Sequence, residues 1–388
     1  MLWLIYSQGY PRAGTGNKLW CHAFRIYDVT TPASSEYVSD MKKLFQLLTH
    51  CKGIWLILLL GMCCACSEKS HTEESVPEIT VVLGLNGAGD NGYDDEIVSG
   101  IMEVNYTSKV SLSMISPASM DEARAVVTAW MDEDLSGECG LLVLAGNEYE
   151  DLVQDVTLPQ NKSVLLFESE SENLPECVSS FMIHRYGISY LAGCMASEAE
   201  SAYVIAAMQS NNYLGDAVQG FMDGFSVGGN NADVIYLAND ESGYGMPDEG
   251  YKAVNTLPYN SFIFPLAGGS NNGMYKATRE EEFNMNLIAG MDVDCSYYST
   301  RVPFSVIFNI RKVVRSILND WISGNQLQDH YTFDLSDEDI VYISFCESFF
   351  DNLIAWDDYY FDPLYWTQMC DKYKAMAIEK EAIYYENK

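Results

Sequence analysis

From Pro77 onward, short apolar runs alternate with stretches of helical length that are apolar along one face, and few folds accommodate that alternation. The runs at 78–85, 110–115, 140–145, 163–167 and 178–183 read as strands, with helices between them at 94–104, 120–132 and 149–156. Ser119 and Glu122 supply a capping box for the second of these helices. The rhythm then begins again, with helices at 189–199, 214–227, 248–255 and 272–280 and strands at 203–207, 233–237, 261–264 and 286–289. A further strand feeding a long helix follows at 302–323 and is expected to lie back on the first lobe. Two consecutive series of parallel βα units predict an α/β chain of two similar lobes around a cleft. At 388 residues and 48% apolar composition, the chain can fill both cores.

The first strand runs out in a glycine-rich turn, Leu83-Gly84-Leu85-Asn86-Gly87-Ala88-Gly89-Asp90-Asn91-Gly92-Tyr93-Asp94-Asp95. In open α/β sheets such strand-to-helix turns are where ligands sit. The spacing Gly87-x-Gly89-x-x-Gly92 matches the dinucleotide fingerprint, but Asp90, Asp94 and Asp95 crowd the place a pyrophosphate would take. Like charges in a dry cleft repel, so the turn is expected to hold a polar, hydroxyl-bearing molecule. Asp90 and Asp94 could hold ligand hydroxyls or cap the next helix, Asn91 adds an amide, and Tyr93 offers a ring for stacking. Asn147, at the end of the third strand, Gly269, in a second glycine-rich turn, and Asp292, just past a buried-type strand, complete the expected ligand set.

Ahead of this domain lies a targeting pattern. Met41-Lys42-Lys43 opens a basic region, 53–60 is an apolar run too short to span a bilayer comfortably, and small residues follow. Cys66, preceded by the small Ala65, is the expected lipidated cysteine of a lipoprotein signal. The chain therefore divides into a start-site artefact at 1–40, a signal peptide at 41–65 and a polar tether at 66–76. Lobe 1 follows at 77–184, lobe 2 at 185–292 and a return to lobe 1 at 293–345. An acidic, aromatic clasp occupies 346–388, with Trp356, Tyr359, Tyr360, Phe361, Tyr365 and Trp366 close together.

Charge and reactive residues exclude several classes of function. With 55 acids against 22 bases the formal charge is −33, which makes polyanions poor partners and argues against nucleic acid. Past Cys66 the cysteines (Cys139, Cys177, Cys194, Cys295, Cys346, Cys370) are widely spaced without a C-x-x-C, so no metal site is expected, and both disulfides and buried thiols fit. His71, His184 and His330 stand far apart. Gly224-Phe225-Ser226-Val227-Gly228 has the spacing of a hydrolase nucleophile elbow, yet a helix precedes it where that motif needs a strand. No enzyme and no cofactor are expected.

Several segments, in order, resemble one family. Asp90-Asn91-Gly92-Tyr93-Asp94 is similar to an Asp-x-Ser-Phe-Asn turn, and 186–193 to a Gly-Ser-Tyr-Leu-Ala-Gly helix start. Gly220-Phe221-Met222-Asp223-Gly224-Phe225 is similar to a Gly-Phe-x-x-Gly helix, 267–273 to a Gly-rich turn ending in Asn-Gly, and 288–294 to an Ile-Gly-Val-Asp strand end. These are features of the basic membrane protein (BMP) lipoproteins, substrate-binding subunits of ABC importers that include purine nucleoside receptors. The resemblance implies a type I periplasmic-binding fold, two Rossmann-like lobes with a ligand cleft and three crossovers. It also implies a small polar solute, nucleoside-like or sugar-like, captured by hinge closure for an ABC permease, with the lipid anchor holding the receptor at the cell envelope. Phe308 stands where the family's Ser-Val-Val-Lys segment has its lysine, and Asp94 where the family's turn has asparagine. A phenyl ring cannot donate the hydrogen bond that lysine gives the ribose. The alternative on the same fold is a ligand-free surface-interaction or sensor lipoprotein.

Overall fold

The computed structural model describes residues 76–388 apart from 86, 172, 210, 281–284 and 352–362. The leader, Cys66 and the aromatic residues 356–361 lie outside the described residues. The first lobe is built on β1 (Glu78–Val82), β2 (Ser111–Ile115), β3 (Gly140–Leu144), β4 (Lys162–Phe167) and β5 (Val178–Ile183), with α1 (Tyr93–Thr107) and α2 (Met120–Asp132) between the first three. The second has α3 (Tyr186–Met195), β6 (Ser201–Ala206), α4 (Asn212–Phe225), β7 (Asp233–Tyr236), α5 (Pro247–Asn255), β8 (Ser261–Leu266), α6 (Asn271–Glu280), β9 (Leu287–Ile288) and β10 (Gly290–Asp292). After these come β11 (Phe304–Phe308), α7 (Ile310–Ile322), β12 (His330–Phe333), β13 (Val341–Phe345), α8 (Glu347–Asp351) and α9 (Pro363–Glu386).

The first sheet has the order β12-β5-β4-β3-β1-β2 and is parallel throughout. The central β3, Gly-Leu-Leu-Val-Leu, is buried at every position, as a parallel strand covered on both faces must be. The second lobe carries β7-β6-β8-β9, also parallel. At Ala289, whose N–H donates to the Ile263 carbonyl at 2.9 Å, β9 gives way to β10. β10 pairs in parallel with β11, and β11 pairs antiparallel with β13.

The region 293–345 therefore does not return whole to the first lobe. β11 and β13 belong with the second lobe's strands, whereas β12 pairs with β5 at the edge of the first sheet. α7 packs along α1, where Arg311 meets Glu96 at 2.7 Å and Arg315 meets Glu103 at 3.0 Å. The chain consequently crosses between lobes near 184–185, at Asn309 and at 334–340, giving a type I periplasmic-binding architecture. Strand pairing is a long-range choice that the apolar run 304–308 does not carry.

Local signals account for most element boundaries. Glu122 N–H donates to Ser119 Oγ at 3.3 Å, and Glu122 Oε2 accepts from Ala118 N–H at 2.8 Å. At the other end of α2, the buried Lys162 ammonium donates to the carbonyls of Trp130, Met131 and Glu133, which places a cation where the helix exposes its last acceptors. The stretch 149–156, expected as a helix, is instead a 3-10 segment at Asn147–Leu152, held down by the Tyr149 hydroxyl donating to the Leu83 carbonyl at 2.6 Å. The six cysteines from Cys139 to Cys370 are free thiols.

The C-terminal helix α9 lies against the second lobe and the crossovers. Trp366 is fully buried against Phe304 and Phe262, with ring centroids 5.5 and 6.0 Å apart. Glu381 accepts from Gly187 N–H at 2.8 Å and from Leu335 N–H at 2.9 Å, so one carboxylate touches the first and third crossover segments. Tyr385 stacks on His184 with centroids 3.5 Å apart, and its hydroxyl accepts from Arg185 N–H at 3.2 Å. Both hinge-side contacts come from the last turns of the chain.

Candidate functional site

β1 ends at Val82 and α1 begins at Tyr93, leaving the glycine-rich turn at the carboxyl edge of the first sheet. Gly87 and Gly89 have φ of +63° and +109°, the left-handed region where glycine is unstrained. Asp90 folds its carboxylate back over the turn and accepts from the N–H groups of Gly92, Asp94 and Asp95 at 2.9, 3.1 and 3.2 Å. Asp95 likewise accepts from Gly89 and Asn91 at 2.8 Å each. The amides that a pyrophosphate would use are thus already satisfied by carboxylates, which is the physical reason the dinucleotide spacing has no phosphate site behind it. Capping of α1 falls to Asp90, which leaves the side chain of Asp94 without a hydrogen-bonded partner among the described residues.

Between the lobes this turn faces a cavity of about 400 Å³. Of the expected residues, Asp90, Tyr93, Asp94, Asn147, Gly269 and Asp292 line it. Asn91 does not. Its Nδ2 donates across the mouth of the cleft to Asn272 Oδ1 at 3.2 Å, and Asn272 Nδ2 in turn donates to the carbonyls of Asp90 and Gly269, both at 3.1 Å. Asn91, with φ +57°, is therefore a contact between the two lips rather than a lining group.

Asp94 enters from the first lobe and Asp292 from the end of β10 in the second. A β carbon built at Gly92 would lie 3.0 Å from Asp292 Oδ2 and 3.5 Å from Asp90 Oδ2, so both acids come close to the turn there. One built at Gly84 would lie 3.5 Å from Glu148 Oε1 and 3.6 Å from Asp94 Oδ1. Burial first, and then the charges of Asp90, Glu148, Asp95 and Asp292, push the Asp94 carboxyl up to about 8. Burial, followed by the charge of Asp90, pushes Asp292 up to about 7 although Arg185 opposes it. Glu148 is also raised, again by burial before anything else.

A second cluster at the cleft was not foreseen from the sequence. Arg185 donates from Nη1 to Glu168 Oε2 at 2.9 Å and from Nη2 to Glu168 Oε1 at 2.8 Å, with a further bond from Nη1 to the Ile183 carbonyl at 2.9 Å. The Tyr93 hydroxyl also donates to Glu168 Oε1, at 2.8 Å. The guanidinium lies over the Tyr213 ring at 4.6 Å and the Phe308 ring at 5.1 Å. Tyr213 reaches Tyr244 hydroxyl to hydroxyl at 3.0 Å. The signal for this pair was present in the sequence: Glu168 and Arg185 each follow closely on a fully apolar strand end, β4 and β5, at the edge of the sheet where ligands gather.

The family model for "ABC transporter substrate-binding protein PnrA-like" matches residues 81–352. Basic membrane protein C of Borreliella burgdorferi is similar at 23% identity over 304 residues, covering 70% of this chain and 80% of that protein. Among solved structures, an ABC transporter system solute-binding protein from Aeropyrum pernix K1 superposes with a TM-score of 0.60 at 16% identity, over 78% of this chain and 86% of that one. A transcriptional activator of the comK gene from Bacillus halodurans superposes with a TM-score of 0.53 at 16% identity, over 77% and 97% of the two chains. At these identities the two structures report a shared fold.

Proposed function

The chain belongs to the PnrA-like family of ABC transporter substrate-binding proteins, and from that premise we propose that it is an extracytoplasmic receptor tethered through a lipid on Cys66. It captures a small polar solute by closing its two lobes and delivers it to an ABC permease. The observation that carries the reading is the cleft of about 400 Å³ between the lobes, a volume suited to a metabolite. Its walls come from both lobes, and the three crossovers that join them supply a hinge. The contacts of Asn91 and Asn272 across the mouth are those a closed receptor needs. In this reading Asp94, Asp292, Asn147, Tyr93 and the backbone at Gly269 touch the ligand, while Asp90 shapes the turn.

The test is a panel of nucleosides, sugars and oligosaccharides applied to the purified domain, with melting temperature and solution scattering read together. A solute present at 100 times its Kd is expected to add about 2.7 kcal/mol of stability. The same solute at the same concentration should stabilise Asp292→Asn by only about 1.4 kcal/mol, half as much, and should change the radius of gyration of the natural protein. A domain that neither stabilises nor changes shape with any small molecule would instead be the ligand-free interaction protein. For the tether, Cys66→Ser is expected to move the protein from the membrane fraction to the soluble one, because a lost diacylglycerol removes about 0.8 kcal/mol of membrane affinity per buried methylene. Unchanged membrane partition of that variant would remove Cys66 as the anchor.

A further inference from the structure

The charge inside the cleft narrows the kind of solute it takes. Among the described residues lining it, Arg185 is the one base, against the acids Asp90, Asp94, Glu148, Glu168, Glu241 and Asp292. Arg185 is spoken for by Glu168 through both terminal nitrogens, and Asp90 by three backbone amides. The Asp94 and Asp292 carboxylates, one from each lobe, have no hydrogen-bond or ion-pair partner among the described residues. The groups that face Asp94 are Asp90, Glu148, Asp95 and Asp292, all acidic. Those facing Asp292 are Asp94, Asp90, Glu168 and Glu96, with Tyr275 and Cys295 beside it and Arg185 the one opposing charge among the described residues.

We infer that the cleft selects an organic cation of metabolite size, a protonated amine or guanidinium whose N–H groups bridge Asp94 and Asp292 as the lobes close. This rests on the solute-binding reading above. Two enclosed carboxylates without donors repel each other and are costly to keep ionised, and a neutral sugar or nucleoside supplies hydrogen bonds without cancelling either charge. A cation supplies both. Tyr93 and Tyr244 also line the cavity, and aromatic rings attract positive charge through their quadrupoles. A bare metal ion fits less well, because no group of three or more His, Cys, Asp or Glu side chains with metal-holding geometry occurs among the described residues.

At low pH the two carboxyls carry protons that a cation must displace. Both are raised, Asp94 to about 8 and Asp292 to about 7, so the empty cleft is protonated near pH 5.5 and largely ionised near pH 8.5. Cation binding must therefore tighten as pH rises through that window, whereas a neutral polyol has no such requirement.

The experiment titrates the folded domain calorimetrically with spermidine, agmatine and tyramine, and with the uncharged inosine, galactose and tyrosol, at pH 5.5 and 8.5. At least one cation is expected to bind, about tenfold or more tighter at the higher pH. Asp94→Asn and Asp292→Asn should each weaken it about tenfold and flatten the pH dependence. Binding of inosine or galactose with an affinity indifferent to pH overturns the cation while leaving solute capture intact. Calcium binding that no organic probe reproduces overturns it as well. Silence from every probe tells against the receptor reading and this one together.

Discussion

Replacing Arg185 with alanine is expected to lower the unfolding free energy by about 3–5 kcal/mol, the cost of leaving a buried carboxylate without its counter-charge. Arg185 and Glu168 are 6% and 5% exposed, so a charge left alone there is poorly hydrated. Glu168 would keep the Tyr93 hydroxyl at 2.8 Å and the Ile183 N–H at 3.3 Å, neither of which carries charge. The guanidinium also packs between the Tyr213 and Phe308 rings, so its truncation opens a void beside both. The double variant Arg185→Met with Glu168→Gln separates the two losses, because it removes the charges in concert and keeps most of the volume. It should recover at least half of the lost stability in urea unfolding. A single variant as stable as the natural protein, or a double variant no better than the single, would show that the pair carries no such role.

The same geometry gives Phe308 a physical reason. Where the BMP resemblance supplies a lysine from β11, this chain sets a ring against the Arg185 guanidinium at 5.1 Å. A lysine there would face a like charge at close range, while an aromatic face attracts one. The cleft's positive charge thus stands at the first crossover, beside the hinge, and it is neutralised by Glu168 before any ligand arrives.

What was legible in the sequence follows from the range of the interactions involved. Apart from the 3-10 segment at Asn147–Leu152, the strands and helices of both series were legible because burial on one or both faces imposes a period on neighbouring residues. The glycine turn announced a site because its conformation needs particular residues locally. By contrast, β12 and β13 are short, half-exposed strands whose places depend on β5 and β11, far away in sequence. The roles of Asp90, Asn91 and Asp94 could be grouped but not separated, since which carboxylate turns back onto the α1 amides is decided by the course of the loop. Asn91 lost its expected place for a partner 181 residues on. Glu168 and Arg185 went unseen because each resembles an ordinary polar residue ending a strand, and their pairing exists only once β4 and β5 lie side by side.

Gly224 opens the elbow-like stretch 224–228, and whether it serves chemistry or packing decides the second large effect. α3 and α4 cross with their backbones in contact. A β carbon at Gly193 would lie 2.7 Å from the Phe225 amide nitrogen, and one at Gly224 would lie 3.0 Å from the Cys194 amide nitrogen and closer still to the Tyr190 carbonyl. Backbone atoms of a packed helix cannot step aside as a side chain can. Ser226, the candidate elbow nucleophile, meanwhile donates to the Asp223 carbonyl at 2.7 Å and merely ends the helix. Gly224→Ala is therefore expected to destabilise the chain by about 3 kcal/mol or more, the upper range for overpacking, as the helices are forced apart. Gly215 lies in the same helix with nothing within 4 Å of its would-be β carbon. There Gly215→Ala should stabilise by about 0.5–1 kcal/mol, since glycine inside a helix forfeits that much to chain entropy. Urea unfolding of the two variants beside the natural protein checks both signs at once. Equal effects at the two positions would mean that α3 and α4 do not cross through their glycines.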